Sequence, residues 1–211
     1  MKKNAAFVSV GGALRIELGA GFALFCALVY FFGGADFLAA LLAAVAVHEA
    51  GHILPMLFFG GRPIRIKAGA AGFSIDYSGS LTPLQETLTA LSGPAFGLLF
   101  AMLCAGLGRR RENEAFTLCA GLGFMLNAFN LLPIPPLDGW RALDLGLSGV
   151  LGGKSGGRVS SIIGLAANAL IVLAGLAAIA RGLGPVPLAV GLWLFILQRK
   201  KSCQQVPRGI Q

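Results

Sequence analysis

The chain contains two histidines, His48 and His52, and they stand in the run His48-Glu49-Ala50-Gly51-His52. On an α-helix, positions i and i+4 share a face about one turn apart, so both imidazoles can reach a single ion. Glu49, next to the first imidazole, can contact a water at that ion and take its proton. The chemistry that this spacing supports is metal-assisted hydrolysis. With average residue frequencies, such a cluster arises by chance on the order of once in a few hundred chains of this length.

A hydrolytic zinc typically has three protein ligands and one open position. There is no third histidine, and Cys26, Cys104, Cys119 and Cys203 are scattered without a CxxC pair, three of them inside apolar stretches. They read as buried, inert thiols. The missing ligand is therefore expected to be a carboxylate. Glu17, Asp36, Asp76, Glu86, Glu112 and Glu114 fall in expected loops or at helix edges, which leaves Asp138 and Asp144. Asp138 is favoured because it ends the segment Asn130-Leu131-Leu132-Pro133-Ile134-Pro135-Pro136-Leu137-Asp138-Gly139. Three prolines open the helix there, and Gly139 permits a tight turn beside the aspartate. Asp144 is expected on the solvent side of the next segment.

The elements that must hold these residues follow from composition. Of 211 residues, 56% are hydrophobic and 12% charged, and the mean hydropathy is +0.78. Soluble domains carry about 25% charged residues, so a soluble fold and a disordered chain are both excluded. The expectation is an all-α polytopic membrane protein. Stretches free of charge predict about six transmembrane helices, near 18–33, 37–59, 87–107, 115–132, 159–180 and 185–198. The first is expected to be an uncleaved helix, because 14 residues separate Lys3 from Leu18 and further apolar segments follow.

With the N-terminus placed in the cytoplasm, the cytoplasmic segments of six spans hold Lys2, Lys3, Arg15, Arg62, Arg65, Lys67, Arg141, Lys154, Arg158, Arg199, Lys200, Lys201 and Arg208. The far side holds Arg109, Arg110, Arg111 and Arg181. That division, 13 against 4, predicts cytoplasmic termini. It also reads the net charge of +8 as topology and not as a nucleic-acid footprint.

Residues 62–79 alternate β-branched or aromatic with polar residues (Ile64, Ile66; Phe73, Ile75, Tyr77) around a Gly/Ala-rich centre. This predicts a small membrane-associated β-hairpin between helices two and three. Residues 7–16 are a candidate for a further extended segment, and Gly152–Gly157, reading GGKSGG, for a flexible linker.

HEAGH in one membrane helix and NLLPIPPLDG at the end of a later one resemble the two motifs of the site-2 protease family of intramembrane zinc metalloproteases. The plan of six spans is most similar to the branch containing stage IV sporulation protein FB. The resemblance covers roughly residues 37–141 and implies a catalytic core there within a single integral-membrane domain, 1–211, without a PDZ or CBS domain. It implies His48, His52 and Asp138 as ligands of one Zn2+, Glu49 as general base, and Asn130 as a catalytic residue holding substrate or the oxyanion. Ser92-Gly93-Pro94 is similar to the family's small-residue segment. Trp140, where many members have a second glycine, and Gly97, where a polar residue is often found, depart from the pattern.

The implied activity is a metalloendopeptidase acting on membrane-anchored regulatory proteins, with the site near the cytoplasmic face of the cell membrane. Expected partners are the substrate, the lipid bilayer, and regulatory membrane proteins or a second copy of the chain, with no nucleic acid. The hairpin would pair with an unwound substrate as an added strand. The alternative expectation is a metal-ion transporter using the same His/Asp site, against which stands the lack of a second copy of either motif. A catalytically dead scaffold would have no reason to keep Glu49.

Overall fold

The computed structural model describes residues 5–10, 14–69 and 72–204, with side-chain environments for 15–69 and 72–199. Lys2, Lys3 and Arg208 from the charge count, and Ala70 and Ala71 at the hairpin centre, lie outside the described residues, as do the side chains of Lys200, Lys201 and Cys203. In chain order the elements are β1 (Ala5–Val10), β2 (Leu14–Gly19), α1 (Ala20–Phe58), β3 (Arg62–Gly69), β4 (Gly72–Ser78), α2 (Pro83–Arg111), α3 (Glu114–Asn130), α4 (Asp138–Leu151), α5 (Gly153–Ala180) and α6 (Val186–Gln204). They form two compact units, dividing between Ala128 and Phe129.

In the first unit, α1 opens the membrane-type part of the chain. It runs for 39 residues but is broken at Gly34, whose φ of 79° is left-handed and open to glycine without a Cβ penalty. The break falls between the apolar stretches expected at 18–33 and 37–59, most of each of which lies on α1. α2 begins with a capping box: Thr82 Oγ1 accepts from the Gln85 N–H while the Gln85 side chain accepts from the Thr82 N–H. Pro83 and Glu86 in the first turn, and Arg109 to Arg111 in the last, match the polarity of the helix ends.

Three helices, α1, α2 and α5, are long and apolar enough to cross a membrane; α6 has a shorter apolar stretch, Val186–Arg199, and α3 has 17 residues. The expectation of about six spans thus meets three helices of sufficient length and composition among the described residues. Large apolar side chains such as Phe31, Phe32, Leu99 and Met102 are exposed along α1 and α2, the arrangement that suits lipid.

The predicted hairpin is present as β3 and β4 and is part of a larger sheet. The strand order is β1-β2-β3-β4, with β1/β2 and β3/β4 antiparallel and β2/β3 parallel. Of the extended segment expected at 7–16, residues 7–10 fall on β1 and 14–16 on β2, while 11–13 lie outside the described residues. Along β4 exposure alternates, with Phe73, Ile75 and Tyr77 half-buried, and Phe73 packs edge-on against Phe22 of α1 at 5.4 Å. Cross-strand ion pairs, Arg65 with Glu17 at 3.2 Å and Lys67 with Asp76 at 2.9 Å, link β3 to β2 and to β4.

In the second unit, the stretch expected as a flexible linker is helical. Gly152 caps α5, and Gly153 to Gly157 form its first turns. Gly156 is there for contact: a Cβ would overlap the backbone of Leu147 and Ser148 in α4. Composition suggested mobility, whereas Gly156 allows two backbones to approach. Asp144, expected to face solvent, is half-buried and accepts a hydrogen bond from Ser160.

Candidate metal centre

The second half of α1 buries Ala40, Ala44, His48 and Gly51 at helical spacing, a stripe in which all but His48 are small. The facing stripe of α2 buries Thr89, Ala90, Gly93, Pro94, Gly97 and Ala101. Small residues let apolar helices approach closely. A Cβ on Gly51 would lie 2.8 Å from the Ser92 carbonyl and 2.9 Å from Gly93 Cα. A Cβ on Gly93 would overlap the His52 ring at Nε2. The Ser92-Gly93-Pro94 segment thus makes room for an imidazole.

The close approach gives His52 a backbone partner: its Nδ1 lies 2.8 Å from the Thr89 carbonyl. A carbonyl only accepts, so Nδ1 carries the proton and Nε2 presents a lone pair. His48, 4% exposed, has its Nδ1 2.7 Å from Asn127 Oδ1 of α3. The two Nε2 atoms are 3.2 Å apart. Two nitrogens bound tetrahedrally to zinc at about 2.0–2.1 Å are separated by about 3.3–3.4 Å, so the pair fits a shared ion.

Glu49 is half-buried on the same turn. Asp138 is the first residue of α4, after the turn made by residues 131–137, where Ile134 is fully buried and Gly139 leaves room for the Leu131 carbonyl. His48 and His52 lie in the first unit, and Asp138 opens α4 in the second. Two imidazoles and a carboxylate are a donor set that suits zinc. Asn130 is the last residue of α3 and half-buried, and Trp140 is half-buried on the first turn of α4.

Two contributors were not visible in sequence. Thr89 acts through its backbone, which no residue type announces. Asn127 is three residues before the motif asparagine and has no exposed surface; its one signal was an amide inside an apolar helix. Gly97, noted as a departure from the family pattern, lies against the Asn127 amide, which a Cβ there would overlap.

The fold is similar to that of a solved site-2 protease. The solved site-2 protease from Methanocaldococcus jannaschii matches 98% of this chain and 99% of its own, with a TM-score of 0.69 and 20% sequence identity. Among curated proteins, the chain is similar to "Putative zinc metalloprotease Rip2" from Mycolicibacterium smegmatis, at 37% identity over 101 residues. That match takes in 43% of this chain and 39% of the relative, so the chain spans about two fifths of the relative's length. No family model matches the chain.

Proposed function

We propose that the chain is an intramembrane zinc metalloendopeptidase of the site-2 protease family, in the branch containing stage IV sporulation protein FB. It hydrolyses peptide bonds in or near the transmembrane segment of membrane-anchored regulatory proteins. In this reading it crosses the membrane several times, with both termini and the site toward the cytoplasm. The observation that carries the reading is the convergence of the His48 and His52 Nε2 atoms, 3.2 Å apart, on a helix that places Glu49 beside them. The fold match and the Rip2 similarity support it.

His48, His52 and Asp138 would hold the zinc. When bound, the ion supplies Lewis acidity, which lowers the pKa of water and polarises a carbonyl. Glu49 takes a proton from the attacking water and passes it to the leaving amine. Asn130 donates a hydrogen bond to the developing oxyanion. The sheet holds the substrate in an extended form. Because β2 and β3 lie inside the strand order, β4 is the edge of the hairpin at which a substrate strand adds.

A transporter using the same ligands is not favoured. It has no use for a carboxylate placed as a base, and each motif occurs once. The deciding experiment compares wild type, Glu49→Gln and Asp138→Asn, purified in detergent, for bound zinc and for cleavage of single-span substrates. Glu49→Gln should keep zinc and lose cleavage, and Asp138→Asn should lose both. Full proteolysis by Glu49→Gln sinks the mechanism.

A further inference from the structure

We infer that Asn127 is a positioning residue for the metal centre: reaching from α3 into the space that Gly97 leaves open, it holds His48 with the proton on Nδ1 and the lone pair on Nε2. The inference rests on His48 being a metal ligand and extends that reading to a residue outside the ligand set.

A neutral imidazole binds a metal through its one unprotonated nitrogen, and the partner of the other nitrogen decides which that is. An amide can donate or accept, so Asn127 alone does not settle the matter. The Gly123 carbonyl does. Asn127 Nδ2 donates to it at 2.6 Å. Reversing the amide would set Oδ1 against that carbonyl, two acceptors face to face, at a residue with no exposed surface for water to reach. Oδ1 therefore faces His48 Nδ1 at 2.7 Å and accepts its proton.

A merely structural amide would be expected to tie one helix to another with both of its groups. Here the second bond goes to Gly123, one turn earlier on the same helix. It adds no link between helices, and its effect is to orient the amide. α2 is shaped to match, since a Cβ at Gly97 would overlap Oδ1, Nδ2 and Cγ of Asn127. His52 takes its orientation from a backbone carbonyl, which no side-chain change removes. At His48 the partner of Nδ1 is a side chain, which a substitution can remove.

The test measures zinc affinity by chelator competition on the full chain in detergent, for wild type, His48→Ala, Asn127→Leu, Gly97→Ala and Asn168→Leu. Asn127→Leu should bind zinc about 10–100-fold more weakly, the usual range for losing a hydrogen-bond partner of a ligand. Gly97→Ala should fall in the same direction. Asn168→Leu removes an equally buried amide, 1% exposed, in the second unit, and should leave affinity near wild type.

If wild type and His48→Ala bind alike, the metal reading itself fails. If His48→Ala is weakened and Asn127→Leu is not, or if Asn168→Leu is weakened as much, the positioning role fails. Should Asn127→Leu not fold, nitrogen NMR of the unmutated, metal-free chain at alkaline pH decides the point. A protonated His48 Nδ1 is expected, and a protonated Nε2 overturns the inference.

Discussion

The Nε2 atoms of His48 and His52 face each other at 3.2 Å, with their rings nearly perpendicular at 86°. Both Nδ1 atoms face side-chain or backbone oxygens, 2.7 and 2.8 Å away, which leaves the Nε2 atoms placed to share one cation.

Removing metal should therefore lower stability as well as activity. A ligand at 100 times its dissociation constant stabilises the folded state by about 2.7 kcal/mol. Chelation should depress the thermal midpoint of the chain in detergent, and added zinc should restore it. An unchanged midpoint in a chain shown to have held zinc would count against a site coupled to folding.

Glu49→Gln should separate binding from chemistry. The amide cannot take a proton, so cleavage should fall by about 10²–10⁴-fold, the usual contribution of a general base. Bound zinc, measured per chain, should stay at the wild-type value because Glu49 is not proposed as a ligand.

Glycines near the site should not be equivalent. A Cβ at Gly93 overlaps the His52 ring, whereas one at Gly121 of α3 meets nothing within 4 Å. Gly93→Ala should cost about 1–3 kcal/mol, as overpacking does, and should weaken zinc binding. Gly121→Ala should be neutral or stabilising by up to about 1 kcal/mol, from helix propensity. Thermal unfolding and chelator competition on the two variants check both halves.

Proline placed in turn at Ser74, Ile75 and Asp76 tests the edge strand. Proline removes one backbone donor, so cleavage should fall at the positions whose N–H points away from β3 and less at the others. Zinc content should not change. Undiminished cleavage across all three would remove β4 from substrate binding.

The HExxH pair and the proline-rich approach to Asp138 were legible because their chemistry is local. Ligand spacing on a helix and the breaking of a helix by proline both act over a few residues. The hairpin was legible for the same reason, through alternation in β3 and β4. The linker expected at GGKSGG was misread because glycine serves two ends, freedom and close approach, and the difference lies in what is packed against Gly156. Asp144 was misplaced likewise, since its partner Ser160 is 16 residues away.

From the sequence alone came the membrane class, the pair of imidazoles on one turn with a carboxylate between them, and the acidic residue after the prolines. These rest on composition and on spacing within a helix, which hold whatever the packing. Which nitrogen of each ring carries the proton depends on partners brought in from afar: Thr89 is 37 residues from His52 and Asn127 is 79 residues from His48. Only the packing of α1 against α2, and the reach of the Asn127 amide past Gly97, decided that both Nε2 atoms turn toward one point. A side chain's tautomer is set by its neighbour in space, and helix periodicity carries no record of that neighbour.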